Sequence, residues 1–222
     1  MITATVAGPD VLGIYDAALR RAEAGSSAEL VLRGPHGSER TIDAASWCRA
    51  RLPGDSGLLR RCSGPTLDIG CGPGRLIKSL NRWGCPALGI DVSAAAVRIA
   101  RSRGATVLRR DVFDQLPGHG RWRHLLLADG NIGIGGDPVA LLRRCHELLR
   151  ADGQLHAEIS PVGTRSWAGE ATIRAVGAAG SATFRWAEVA AEDLAALAEL
   201  SALRVAETWT EAERWFATLT PA

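Results

Sequence analysis

Three glycines spaced two residues apart follow an acid at the end of a short apolar run: Thr66 to Arg75 read T-L-D-I-G-C-G-P-G-R. Gly70, Gly72 and Gly74 let the backbone turn sharply and approach a ligand closely. The run before them and the helix-like pattern after them make a strand, a tight loop and a helix N-terminus, the arrangement with which open α/β sheets hold nucleotides. The spacing selects among ligands. A dinucleotide fingerprint, G-x-G-x-x-G, needs its third glycine one residue later, and the phosphate-binding G-K-[ST] is missing, because Arg75 and Leu76 follow Gly74. A second acid, Asp91, closes the next apolar run in G-I-D-V-S, 17 residues after Gly74. A carboxylate there presents several acceptor lone pairs to ribose hydroxyls, and Ser93 is free to cap the helix that follows. A third acid, Asp111, stands in R-D-V-F, and four glycines crowd the seven residues 130–136 after a fourth apolar run. Such a loop can form a nest of backbone amides for an anion.

The elements that must position these residues alternate. Strands are predicted at 66–69, 87–91, 105–109, 124–128 and 154–159, with helices at 75–83 and 94–102 between them. A third helix starts at Asp137-Pro138, with Asp137 as its cap, and its Leu141, Leu142, Cys145, Leu148 and Leu149 share one face. Two further strands, 203–209 and 214–219, lie too close for a helical crossover and so form an antiparallel hairpin. Before residue 64 the pattern differs. A helix is expected over 15–24, a hairpin of 29–33 with 39–43 around Gly34-Pro35-His36-Gly37, and a helix over 47–52; Pro53-Gly54-Asp55 reads as a breaker. Extra strands are expected at 171–176 and 184–189, and a helix around Leu194–Leu200.

The form D-x-G-x-G-x-G, followed by Asp91, Asp111, the glycine-rich loop and a terminal strand pair, resembles class I S-adenosylmethionine-dependent methyltransferases over roughly residues 66–219. That resemblance implies an α/β, Rossmann-like, doubly wound, mostly parallel seven-stranded sheet ending in an antiparallel hairpin, with a helical and hairpin cap at the N-terminus. Residues 1–63 would form the cap and 64–222 the domain that binds S-adenosyl-L-methionine. The loop Gly70, Cys71, Gly72 and Gly74 would lie beneath the amino-acid and ribose portion, with Asp68 accepting from the ammonium. Asp91 would take the ribose, Val92 would lie along the adenine, and Asp111 with Val112 would flank it. Asp129, Gly130 and Asn131 follow the fourth strand, where the family holds the transferable methyl group. Asp129 and Asn131 are the candidate catalytic residues there. The loop departs from the Asn/Asp-Pro-Pro-aromatic motif of nucleic-acid and protein-amide methyltransferases. The sequence is similar to bacterial members of the family.

Composition bounds the rest. The chain has 222 residues, 46% of them hydrophobic, and a net charge of +2; that balance gives no argument for nucleic acid. Lys78 is the only lysine in a chain rich in Ala, Arg and Gly, a composition expected of a GC-rich genome. Five cysteines without a C-x-x-C pair argue against a disulfide framework and a zinc site. No basic segment leads into an apolar one at the start, and no apolar run approaches the roughly 18 residues of a membrane span. The expected protein is cytoplasmic, a monomer or homodimer with a small-molecule substrate, no metal, and no nucleic-acid or membrane partner. His36 and His119 lie in loops, Tyr15 on the N-terminal cover, and Trp47, Trp122, Trp167 and Trp186 flank loops where a substrate pocket can form; Trp83, Trp209 and Trp215 fall in core-like elements. Three other readings compete. An NAD-dependent oxidoreductase shares Asp91 but not the glycine spacing. A non-catalytic cofactor-binding subunit, or a related fold catalysing cyclisation, would keep the loop.

Overall fold

A computed structural model describes residues 10–222. In chain order the elements are α1 (Val11–Glu23), β1 (Glu29–Arg33), β2 (Glu39–Asp43), α2 (Ala44–Trp47), α3 (Asp55–Arg61), β3 (Thr66–Ile69), α4 (Arg75–Arg82), β4 (Ala87–Asp91), α5 (Ala94–Ser102) and β5 (Val107–Arg109). There follow β6 (Trp122–Leu127), a 3-10 turn at Asn131–Gly136, α6 (Pro138–Leu148), β7 (Leu149–Ile159), β8 (Trp167–Ala175), β9 (Ser181–Glu188), α7 (Leu194–Glu199), β10 (Leu203–Glu211) and β11 (Arg214–Pro221).

Seven strands form the main sheet in the order β10-β11-β7-β6-β3-β4-β5. Strands β7, β6, β3, β4 and β5 run parallel, and β11 and β10 close the edge antiparallel. This is the expected Rossmann-like sheet with its terminal hairpin. Side chains alternate across it with period two. From β6, Leu125 and Leu127 enter a core with Leu141, Leu142 and Leu148 of α6 and Leu194 of α7. Leu126 points the other way, to Leu58 and Leu59 of α3 and Leu76 and Leu80 of α4. Chain order reverses between β3 and β6, and at such a switch point the carboxyl ends of the strands open a crevice.

A second, four-stranded antiparallel sheet, β2-β1-β8-β9, covers that crevice. The predicted hairpin forms with the predicted strand limits, and β1 pairs with β8, 140 or so residues later in the chain, through Leu32↔Ile173. The two extra strands expected near 171–176 and 184–189 thus join the N-terminal hairpin in one cap. Helix α1 packs Ile14 and Ala18 on the cap core with Leu30, Ile173 and Ala182, and sets Leu19 against Ala95, Ala96 and Ile99 of α5. It ties cap to main sheet.

The helix expected over 47–52 lies earlier, at 44–47, because Asp43 caps it by accepting from the Ala45 amide at 2.9 Å. The breaker at 53–55 opens a helix instead, α3, whose cap Gly54 takes a left-handed φ of 88°. Trp83, expected in the core, is 51% exposed.

Candidate functional site

The glycine loop joins β3 to α4 with Gly70, Gly72 and Gly74 at φ of 71°, 51° and 80°, all in the left-handed region that glycine alone adopts without cost. At Gly72 a Cβ would stand 3.4 Å from the Tyr15 hydroxyl, so the backbone there lies open to what sits between loop and cap. At Gly70 it would stand 2.6 Å from the Asn131 amide nitrogen. A cavity of about 320 Å³ lies above the loop, walled by Asp68, Asp91, Val92, Asp111, Val112, Asp129 and Asn131 on the main-sheet side and by Tyr15, Arg40, Trp47, Phe184 and Trp186 on the cap side. A second cavity of about 340 Å³ adjoins it, with Leu32, Arg40 and Trp186 common to both and Gly130, Glu158, Trp167 and Glu188 among its walls.

Asp68 ends β3, is only 2% exposed, and accepts no side-chain hydrogen bond among the described residues. Burial pushes its carboxyl up to about 7, against the pull of Arg75. Asp91, at the end of β4, accepts from the amides of Gly72 (2.9 Å) and Ser93 (2.8 Å). Burial raises its carboxyl and those bonds hold it back. One oxygen thus fixes the glycine loop and the other the start of α5, where Ser93 caps the helix by accepting from Ala96 at 2.9 Å. The spare lone pairs of Asp91 remain for a ligand. Beside it Val92 is exposed; Val112 is buried, and Asp111 is exposed and turns its carboxylate back onto the Phe113 amide at 3.0 Å. Cys71 packs its thiol into the core over Gly89 with Ile77 and Val107, so its contribution to the cavity is backbone.

The two candidate catalytic residues are held firmly. Asn131 donates from its amide to the carbonyls of Ile69 and Gly70, both at 2.9 Å, and so braces the glycine loop. Asp129 takes a left-handed φ of 55°, uncommon for a residue other than glycine. Its carboxylate lies between Arg75 and Arg214, the latter at 3.0 Å, and its amide donates to Glu158 at 2.6 Å. Burial raises the Asp129 carboxyl against both arginines. The two guanidiniums also share Asp55, which is 1% exposed; Arg75 pairs with it directly and Arg214 sits 3.2 Å away. Arg214 donates to Glu158 at 2.6 Å and 2.9 Å as well. Asp55, Arg75, Glu158 and Arg214 escaped the sequence reading. Only Arg75 carried a signal there, as the charge directly behind the third glycine. The others come from α3, β7 and β11, and no local pattern joins them.

Tyr15 meets Trp47 edge to face with ring centroids 5.6 Å apart. Burial and then Asp91 raise its hydroxyl well above the usual tyrosine value, so it stays a donor. His119 lies in an exposed loop and lines neither cavity, and the side chain of His36 lies outside the described ones. His124 and His156 form a buried pair. The Ser63 amide donates to His124 Nε2 at 3.1 Å, His124 Nδ1 meets His156 Nε2 at 3.1 Å, and His156 Nδ1 meets Thr218 Oγ1 at 3.0 Å. Cys62 lies within ligand reach of both rings, but its thiol donates to Leu58 O and every ring nitrogen already has a partner. Of the tryptophans expected to flank a pocket, Trp47 and Trp186 line the first cavity and Trp167 and Trp186 the second, whereas Trp122 donates to Pro117 O at 3.0 Å elsewhere.

Residues 66–153 match the family described as "Methyltransferase domain". A ubiquinone biosynthesis O-methyltransferase of Yersinia enterocolitica is 24% identical over 107 residues, which are 46% of this chain and 44% of that relative. Among solved structures, a SAM-dependent methyltransferase from Bacteroides fragilis in complex with S-adenosyl-L-homocysteine superposes with a TM-score of 0.77 at 22% identity, covering 94% of each chain. The 1,6-didemethyltoxoflavin-N1-methyltransferase of Burkholderia thailandensis gives a TM-score of 0.61 at 17% identity, covering 100% of this chain and 93% of its own. The matched segment, less than half of the chain, contains the glycine loop, Asp91 and Asp129, and the sheet that carries them has the fold of the solved S-adenosylmethionine-dependent methyltransferases.

Proposed function

We propose that the protein binds S-adenosyl-L-methionine over the glycine loop and catalyses transfer of its methyl group to a small molecule enclosed by the cap. The observation that carries this reading is Asp68, a buried carboxylate with no hydrogen-bond donor among the described residues, lining a cavity whose floor is backbone that only glycine can form. A buried carboxylate in that position is costly unless a cation completes it, and the cofactor's ammonium supplies one. The donor set fits the remainder. Asp91 would accept from the ribose, and Val92, Asp111 and Val112 would border the adenine. Bound there, the cofactor brings a methyl group already activated by its sulfonium.

The chain's work is then mainly alignment and exclusion of water. Asn131 and the ion network around Asp129 would act as positioning groups, fixing the glycine loop and the turn after β6 relative to each other. Tyr15, protonated, would donate a hydrogen bond into the cavity. No histidine among the described residues lines either cavity.

Incubation with methyl-labelled S-adenosylmethionine and fractionated cell extract tests the reading. Label moving into a low-molecular-weight product that gains one methyl group supports it; a product of unchanged mass would point to cyclisation. Absence of S-adenosylhomocysteine binding by calorimetry would contradict it.

A further inference from the structure

Charged side chains line the first cavity on both sides. The main-sheet side supplies its four acids, Asp68, Asp91, Asp111 and Asp129, together with Arg75, which is ion-paired with Asp55 and Asp129, and Arg110, which donates to the Arg109 carbonyl. The cap contributes apolar walls, no acid, and two arginines, Arg40 and Arg185. Neither guanidinium makes an ion pair within 4.0 Å or donates a hydrogen bond among the described residues. Arg185 stands to one side, against Gly136 near Phe113. Arg40 is central, because it lines both cavities and approaches Gly130, directly after Asp129, where a Cβ would lie 3.8 Å from its Nη2.

Register explains how it gets there. Arg40 pairs with Leu32, Leu32 with Ile173, and Ile173 with Ala182, so the four share one cross-strand row. Ile42, two residues on, points to the same face. Arg40 is thus the one cation in a row of aliphatic side chains that faces the cavity. The acids of the second cavity do not neutralise it. Glu39 pairs with Arg33 and Arg174, Glu158 with Arg214, and Glu188 accepts from Ser160 and Trp167.

We propose that Arg40 is the specificity-determining residue of the acceptor site, and that the acceptor is a small molecule with an apolar, ring-sized body and an anionic group such as a carboxylate. A guanidinium fork matches a carboxylate in two parallel hydrogen bonds. The apolar walls Leu32, Ile42, Phe184 and Trp186 take the body, and the carboxylate anchors it beside the turn at Gly130. This inference rests on the methyl-transfer reading for the word acceptor; the binding preference it predicts does not.

Calorimetric titration of the protein with 1-naphthoate and with its neutral counterpart 1-naphthamide, each with and without saturating S-adenosylhomocysteine, tests it. The wild type is expected to bind naphthoate about ten-fold or more tightly than naphthamide, the usual difference for a charge-assisted bond. Arg40→Ala abolishes that preference, Arg40→Lys retains part of it, and both variants bind S-adenosylhomocysteine within about two-fold of the wild type. Equal binding of the two probes by the wild type, no binding of naphthoate, or a preference that survives in Arg40→Ala overturns the proposal. So does a large loss of S-adenosylhomocysteine affinity in Arg40→Ala, which would put the arginine in the cofactor site. If the wild type prefers naphthoate yet never binds S-adenosylhomocysteine, the methyl-transfer reading fails and the anion site stands.

Discussion

Asp68 carries a cost in stability above neutral pH. Its carboxyl is raised from the ordinary range to about 7 by burial, so the folded protein holds the proton more tightly than the unfolded chain does. The stability this contributes is present below the unfolded value and disappears as pH rises through about 7. Above that pH the ion is a buried charge without a hydrogen-bond donor among the described residues. Asp68→Asn should therefore raise the stability of the ligand-free protein at neutral to alkaline pH, by on the order of 1–3 kcal/mol, read as a higher melting temperature. The same substitution should weaken S-adenosylhomocysteine binding, since the ammonium loses its ion partner. In the wild type, affinity should hold above pH 7 and decline as pH falls below it, with proton release on binding in that range. A variant that is both less stable and unchanged in affinity would remove Asp68 from the site. Its position was legible in the sequence because strand, acid and glycines are contiguous. Its isolation was not, since that depends on which donors the rest of the chain withholds.

At the level of elements, the ion network joins α3, α4, β7, β11 and the turn after β6 at one point. Replacing Arg75 by Met would leave buried Asp55 and part-buried Asp129 with one cation fewer, and should cost about 3–5 kcal/mol, measured by denaturant unfolding. The glycine loop separates stability from function more cleanly. Gly72→Ala forces a left-handed residue and points its Cβ towards Tyr15, so S-adenosylhomocysteine affinity should fall at least ten-fold while the melting temperature drops by only a few degrees. The paired histidines set an acid limit. Burial lowers His124 to about 4 and His156 to about 3, so the neutral rings contribute stability that is complete above the unfolded value and is lost as pH falls from about 6.5 through 4. Thr218→Val should remove the last acceptor of their chain and reduce stability at neutral pH by about 1–3 kcal/mol. Most strands and helices of the main sheet were readable from period and capping residues. Helix α3 was hidden because Gly54 reads as a breaker in sequence and acts as a left-handed cap in space. The ion network was hidden because its members lie far apart in the chain, Asp55 and Arg214 being separated by 159 positions.

In the whole molecule, the cap is assembled from two distant segments. The hairpin of β1 and β2 and the strands β8 and β9 were each legible as strands, but the pairing of β1 with β8 is a tertiary event with no local signature. That pairing closes the crevice at the switch point of the main sheet and turns an open cleft into two adjoining chambers. It also brings Arg40 of the hairpin over the turn at Gly130. Because the cofactor would bind only the folded protein, saturating S-adenosylhomocysteine at one hundred times its Kd should stabilise the chain by about 2.7 kcal/mol, a rise of several degrees in melting temperature, whereas NAD should give none.

The most direct measurement is methyl transfer itself, followed by the appearance of S-adenosylhomocysteine and of label in small-molecule fractions of a cell extract, for the wild type beside Asp91→Ala. The wild type should label a discrete product carrying one additional methyl group, and Asp91→Ala, folded but lacking the proposed ribose acceptor, should label it at least ten-fold more slowly. A wild-type protein that binds neither S-adenosylmethionine nor S-adenosylhomocysteine, or that binds them and labels nothing across the extract, would contradict the assignment.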